Sequence, residues 1–130
     1  MAKFDLIGLG NALVDSEFHV TDSFLKKKGF EKGTMHLVDS DEQTNLLNSL
    51  EKEYGKPSLA CGGSATNTIF AASILGSSCS YICKVGNDKN GNFYLDDLSD
   101  AGVNIDHSVM LDSNINSGTC TVMVLSLIHI

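Results

Sequence analysis

Apolar and polar positions along this chain follow two periods, one typical of helices and the other of strands. Helices are predicted at residues 24–28, from a capping box at 40–43 to about residue 55, at residues 64–75 and at residues 93–101. Buried strands are predicted at residues 4–10 and 81–85. Because these strands alternate with helices, the pattern indicates an α/β fold whose central sheet is mostly parallel and has flanking helices.

The helix at 64–75 follows a glycine pair, Gly62 and Gly63. Glycines let the backbone turn sharply and let a ligand approach where a Cβ would otherwise stand. Ser64 is predicted to cap this helix and Gly76 to end it. Asn67 falls on the first turn, where an amide beside a partly positive helix end suits a polyhydroxylated ligand. The alternative is a glycine turn that only enters a packed helix. The predicted inward face consists of Ala65, Ile69, Ala72 and Leu75.

Four further segments alternate like half-exposed strands, which a buried parallel sheet does not readily accept. They lie near residues 16–20, 34–38, 108–112 and 118–124. We expect them to form a small separate β-sheet, a lid that could cover a ligand. With the other elements they form one domain over residues 1–124.

The composition argues against several classes of partner. The chain has 130 residues, 42% of them hydrophobic and 19% charged, which is typical of a soluble globular domain. A net charge of −7 repels a phosphate backbone, so nucleic acid is not expected as a partner. We also expect no membrane partner, because there is no signal peptide and no apolar run long enough to span a bilayer. Scattered cysteines and histidines predict no zinc site, and reduced thiols predict a cytoplasmic protein.

Two loops match ligand-binding motifs only superficially. Gly8-Leu9-Gly10 begins like a dinucleotide-binding fingerprint, but Leu13 stands where the third glycine belongs. The acidic turn at residues 88–92 begins like a calcium loop, but Ser99 stands where a bidentate Glu is required. Asp88 is therefore predicted to be a helix cap.

Four motifs in order resemble those of the ribokinase-like PfkB family of sugar and nucleoside kinases, over Phe4 to about Val124. They are Gly8-Leu9-Gly10-Asn11-Ala12-Leu13-Val14-Asp15, Gly62-Gly63-Ser64-Ala65-Thr66-Asn67 with Leu75-Gly76, Val85-Gly86-Asn87-Asp88 with Gly91, and Ala101-Gly102-Val103. Within the family, the Gly10–Asp15 and Gly62–Ser64 segments and Gly118-Thr119-Cys120 look most like the adenosine kinase branch. The resemblance implies a ribokinase-like fold and, in a full-length parent, transfer of the γ-phosphate of ATP to a ribose 5′-hydroxyl with Mg²⁺.

The resemblance also implies a binding site for a small-molecule sugar or nucleoside. By position, Asp15 would accept hydrogen bonds from ribose hydroxyls, a charge-assisted contact of roughly 1.5–3 kcal/mol. The implied site residues are Asn11, Asp15, Gly62, Gly63, Ser64 and Asn67, with Met35, Leu37 and Cys120 as an apolar wall for a purine. Plainer alternatives make Asp15 a turn aspartate, Asn67 a helix-start amide and Cys120 a small core residue.

The family's C-terminal Asp-Thr-x-Gly-Ala-Gly-Asp motif does not occur in this sequence, so no catalytic residue is assigned. We therefore expect the sugar-binding N-terminal part of a kinase, inactive by itself and binding ATP and Mg²⁺ poorly, from a parent that is a monomer or homodimer. Residues 125–130 are expected to be a non-native tail. The alternatives are a ribokinase- or fructokinase-like sugar kinase and a non-catalytic nucleoside- or sugar-binding module.

Overall fold

The computed structural model describes residues 3–106 and 110–125. The strands are β1 (Leu6–Leu9), β2 (Leu13–Val20), β3 (Ser58–Gly62), β4 (Cys79–Ile82), β5 (Val85–Gly86), β6 (Leu111–Asp112) and β7 (Gly118–Leu125). The helices are α1 (Asp22–Lys28), α2 (Ser40–Tyr54), α3 (Ser64–Ile74) and α4 (Lys89–Asp100). The described chain divides into two compact units, one made of the residues up to Asp15 and of Leu59 to Cys120, and the other of Ser16 to Ser58 and Thr121 to Leu125.

The first unit contains two parallel strand pairs with helices between their strands. β1 pairs with β4 in a register that runs from Leu6 opposite Cys79 to Leu9 opposite Ile82. β5 pairs with β6, also in parallel. Because parallel neighbours need a crossover connection, this arrangement confirms the predicted α/β class. A further sheet has the strand order β3–β2–β7.

The core of the first unit lies between α3, α4 and the β1–β4 pair. Its fully buried side chains include Val14, Tyr81, Val85, Tyr94, Leu95 and Leu98. Gly8 lets β1 approach α3 closely, because a Cβ at this position would lie 2.5 Å from Cγ1 of Ile69. The glycine of the first motif is therefore a packing requirement of this core.

The second unit has its own core, formed by the adjoining part of β2 with α1 and α2. Its buried members are Phe18, Val20, Phe24, Leu25 and Leu50. Helix α1 begins after Thr21, whose hydroxyl accepts from the Phe24 amide, and ends at Gly29 with φ 76°. The helix ends at Lys28 as predicted and begins two residues before the predicted start at Phe24.

Three helix starts test the predicted caps. The capping box of α2 consists of Asp39 and Glu42, so it begins one residue before the predicted one. Helix α3 has Gly63 at its N-cap and no side-chain cap, so the prediction that Ser64 caps it is wrong. Asp88 caps α4 as predicted, and it accepts a hydrogen bond of 2.8 Å from the Gly91 amide.

The four segments predicted to form one small sheet lie in different places. Segments 16–20 and 118–124 lie in β2 and β7 of one sheet, whose third strand, β3, was not predicted. Residues 34–38 form no strand, because alternation of apolar residues does not by itself supply a pairing partner. In segment 108–112 the structure shows β6, which pairs with β5 in a different sheet, while residues 107–109 lie outside the described part of the chain.

Two predictions of burial are also wrong. Leu75 is 86% exposed, because the helix ends at Ile74 before its last predicted inward position. Strand β1 was predicted to be buried, but Ile7 and Leu9 are exposed on the face of the sheet opposite Gly8. The predicted strand at 81–85 is divided, since β4 ends at Ile82 and β5 begins at Val85.

Candidate functional site

Asp15 lies on β2 and its carboxylate rests directly against Gly62 at the end of β3. A Cβ at Gly62 would lie 2.6 Å from each carboxylate oxygen, which is closer than real Cβ contacts come. Any residue other than glycine would therefore displace Asp15. This contact brings together two of the predicted site residues that are 47 positions apart in the sequence.

Gly63 begins α3 and adds Asn11 to the same place. Its φ of 105° favours glycine, and a Cβ there would lie 2.8 Å from the backbone oxygen of Asn11. The Asn67 amide donates to the Gly63 carbonyl at 2.9 Å, so Asn67 lies on the first turn of α3. Both asparagine side chains are exposed. Asn11, Asp15, Gly62, Gly63 and Asn67 therefore cluster at one helix N-terminus.

The Asp15 carboxylate is half-buried and its oxygen lone pairs are available as hydrogen-bond acceptors. No residue in the described part of the chain donates a hydrogen bond to it. Burial raises the pKa of Asp15 above its usual value, since removing a carboxylate from water disfavours its charged form. A ligand that donated hydrogen bonds here would compensate for that desolvation.

Beneath the glycine pair lies a buried hydroxyl network. Thr66, fully buried on α3, is hydrogen-bonded to the Tyr81 hydroxyl at 2.9 Å and to the Tyr94 hydroxyl. The Tyr94 hydroxyl in turn donates to the Gly62 carbonyl oxygen at 3.1 Å. Burial raises the pKa of Tyr94, so this hydroxyl stays protonated and remains a donor.

Sequence reasoning missed this network, although one signal for it was present. Buried tyrosines need a partner for the hydroxyl. Tyr81 and Tyr94 lie in the predicted strand at 81–85 and the predicted helix at 93–101, and a tyrosine buried at either position needs a polar partner in the core. The sequence placed Thr66 in a motif but did not predict its burial, because that burial depends on how the helices and strands pack together.

The remaining predicted site residues differ in their support. Cys120 lies on β7, where partial desolvation and the negative charge of Asp15 raise the pKa of its thiol. The Asp15 charge thus reaches Cys120. Met35 and Leu37 belong to the second unit, where they are 86% and 92% exposed and lie in no strand. Ser64 is exposed on the first turn of α3.

In the third sequence motif, Val85-Gly86-Asn87-Asp88 with Gly91, hydrogen bonds converge on the Asp88 carboxylate. Asp88 accepts hydrogen bonds of 2.8 Å from the Ser117 amide and hydroxyl as well as from Gly91. Burial by itself would raise the pKa of Asp88, but these hydrogen bonds outweigh it and lower the pKa. A Cβ at Gly91 would overlap the Gly86 carbonyl oxygen at 2.0 Å. The motif therefore holds together the chain around α4 and the loop before β7.

The hydrogen bonds between Asp88 and Ser117 also help to position the candidate site. Next to Ser117, Gly118 lies so close to Ala12 that a Cβ would be 2.9 Å from its carbonyl oxygen. Ala12 belongs to the segment between Asn11 and Asp15. The start of β7, which carries Cys120, is thus held against that segment.

A cavity of about 370 Å³ lies elsewhere, in the second unit. It is lined by Lys27, Lys28, Ser49, Lys52 and Glu53. None of the predicted site residues lines it, and the candidate site is defined by the contacts around Asp15 instead. Within residues 3–106 and 110–125, no group of His, Cys, Asp and Glu side chains is arranged to hold a metal ion.

Parallel strand pairs with interposed helices, and a glycine-entered helix facing a carboxylate, define a ribokinase-like α/β protein. The chain belongs to the pfkB family of carbohydrate kinases, whose model matches residues 34–126. Members of this family are phosphotransferases.

Three relatives illustrate the range of the family. Adenosine kinase 2 of Arabidopsis thaliana is 29% identical over 123 residues, which cover 92% of this chain and 34% of that protein. The adenosine kinase structure from Sinorhizobium meliloti is 32% identical with a TM-score of 0.64, covering 96% of this chain and 33% of that one. A probable sugar kinase from Rhizobium etli CFN 42 is 29% identical with a TM-score of 0.70, covering 97% and 37%. The chain thus spans about a third of the length of these relatives. Among the described residues, no helix is both long and apolar enough to cross a membrane.

Proposed function

We propose that this chain is the substrate-binding, N-terminal part of an ATP-dependent pfkB-family kinase that phosphorylates the ribose 5′-hydroxyl of adenosine. The observation that carries the proposal is the Asp15 carboxylate, held against Gly62 at the N-terminus of α3 with no donor from the described residues. Two adenosine kinases among the relatives support the choice of a nucleoside.

The chemistry of the cluster suits a vicinal diol. A carboxylate can accept from two adjacent hydroxyls at once, a contact of roughly 1.5–3 kcal/mol that a sugar without those hydroxyls cannot make. Asn11 and Asn67 expose amides beside the same helix end, and each amide both donates and accepts. Gly63 lets a sugar lie against the backbone. Cys120 would contribute an apolar contact for the base.

We assign no phosphoryl-transfer step to this chain. In the parent, Mg²⁺ would supply positive charge that neutralises the charge developing on the transferred phosphoryl group. We propose that ATP, Mg²⁺ and the catalytic base bind or lie in the rest of the parent, as the family resemblance implies. The four cysteines are free thiols, which agrees with the cytoplasmic location we propose.

A sugar kinase is the second candidate. The likeness to a probable sugar kinase favours it. A non-catalytic binding module would use the same cluster. Both alternatives keep Asp15 in contact with sugar hydroxyls. A sugar kinase would bind a sugar without a purine base, and a binding module would not phosphorylate what it binds.

The test is an NMR titration of the 130-residue chain with adenosine, ribose and fructose in turn. Adenosine should shift the amides of Gly62, Gly63 and Asn67, and Asp15→Asn should weaken the binding that these shifts report by about 10- to 150-fold. Asp96→Asn is the matched control, because Asp96 is exposed on α4, and it should leave them intact. Equal or stronger shifts with fructose would transfer the proposal to a sugar kinase. An affinity that Asp15→Asn leaves unchanged would refute the site.

A further inference from the structure

Tyr94 lies on α4, outside the substrate cluster, yet its hydroxyl reaches the turn on which the cluster is built. The side chain is fully buried, and its hydroxyl donates to the Gly62 carbonyl oxygen at 3.1 Å. The Cys61 thiol donates back to the Tyr94 carbonyl at 3.4 Å. Helix α4 and the end of β3 are therefore joined by two hydrogen bonds on adjacent residues.

Gly62 is held from two sides. On one side Tyr94 contacts its carbonyl oxygen, and on the other the Asp15 carboxylate occupies the space that a side chain would fill, 2.6 Å from the Cβ position. Interiors are close-packed, so a displacement of Gly62 has to move the carboxylate too. The next residue, Gly63, sets where the first free amides of α3 point.

Tyr81 provides a natural comparison. It is also fully buried, and its hydroxyl also bonds Thr66, at 2.9 Å. Within the part of the chain that the structure describes, only Tyr94 of this pair has a hydrogen bond to Gly62. The two tyrosines are therefore equally buried and share Thr66 as a partner, but they differ in the hydrogen bond to Gly62.

We propose that Tyr94 is a positioning residue for the substrate site. Its hydroxyl fixes the Gly62 peptide, and through it the separation between the Asp15 carboxylate and the N-terminus of α3. Tyr94 itself makes no contact with substrate. The effect on ligand binding rests on the proposed function, whereas the effect on the Gly62–Gly63 turn does not.

The test compares Tyr94→Phe with Tyr81→Phe. Each removes one buried hydroxyl from Thr66, and Tyr94→Phe also removes the donor to the Gly62 carbonyl, so we expect a larger loss of stability for Tyr94→Phe in urea unfolding. In the ligand-free chain, only Tyr94→Phe should shift the Gly62 and Gly63 amides and speed their hydrogen exchange. In the titration, only Tyr94→Phe should weaken adenosine binding, by roughly 3- to 10-fold after correction for the folded fraction.

The outcomes separate the two proposals. Equal amide shifts and exchange rates in the two variants would overturn the positioning role, whatever happens to ligand. If the wild-type chain binds neither adenosine nor a sugar, the proposed function fails, and the ligand-free comparison still decides whether Tyr94 sets the turn. If Tyr94→Phe moves the turn but leaves the affinity unchanged, its role in the substrate site is overturned.

Discussion

Replacing Asp15 by Asn should weaken ribose binding without destabilising the fold. Burial raises the pKa of this carboxyl, so folding disfavours its charged form. For a carboxyl with a raised folded-state pKa, the ionised group lowers stability at neutral pH, and that penalty disappears as the pH falls through the folded-state value. An amide carries no such penalty at any pH.

The expected loss of binding follows from the contact itself. Two hydroxyls donating to one carboxylate contribute roughly 1.5–3 kcal/mol, which corresponds to about 10- to 150-fold in affinity. The expected stability change is small and favours Asn, because water still reaches the half-buried carboxylate and weakens the penalty.

Urea unfolding at pH 7 and pH 4.5, with adenosine titrations at pH 7, would measure both effects. Asp15→Asn should be at least as stable as wild type at pH 7, and the difference should shrink at pH 4.5. Asp96→Asn controls for the loss of one charge from an acidic chain.

A destabilisation of more than roughly 1 kcal/mol at pH 7 would refute this reasoning. That result would mean that the Asp15 carboxylate accepts hydrogen bonds from its own turn, as in the plainer interpretation of the sequence, and is not free to accept them from a ligand.

Two further changes test the surrounding structure. Asp88→Asn should destabilise the chain by roughly 1–3 kcal/mol, because it disrupts charge-assisted hydrogen bonds from Ser117. Since the folded-state pKa of Asp88 is lowered, its contribution is present above the unfolded-state pKa and is lost as the pH falls through the folded-state value; denaturation from pH 7 to pH 3 should show wild type converging on the variant. Gly63→Ala should cost more stability than Gly29→Ala in urea unfolding: both have positive φ, but only at Gly63 would the new Cβ lie 2.8 Å from a backbone oxygen, that of Asn11. Equal losses would contradict the close approach at Gly63.

Local features were predictable from the sequence because their causes are local. Gly29 ends α1 and Asp88 caps α4 through contacts within a single turn. The alternation of helices with strands led to the α/β class, and the motifs led to the family that the comparisons confirm. The capping box predicted at 40–43 lies one residue too late, because Asp39 and Glu42 form the box of α2.

Contacts between distant segments were decided by the tertiary structure alone. Residues 34–38 alternate as a strand should, but a strand exists only where a neighbour supplies hydrogen bonds. The motifs pointed to Asp15 and Gly62, yet their contact depends on how β2 and β3 meet. The Thr66 network likewise joins α3, β4 and α4. Sequence thus determined which residues could cap, turn or bind, and packing determined which of them meet, because contact energies arise only between groups that the fold has brought within a few ångströms.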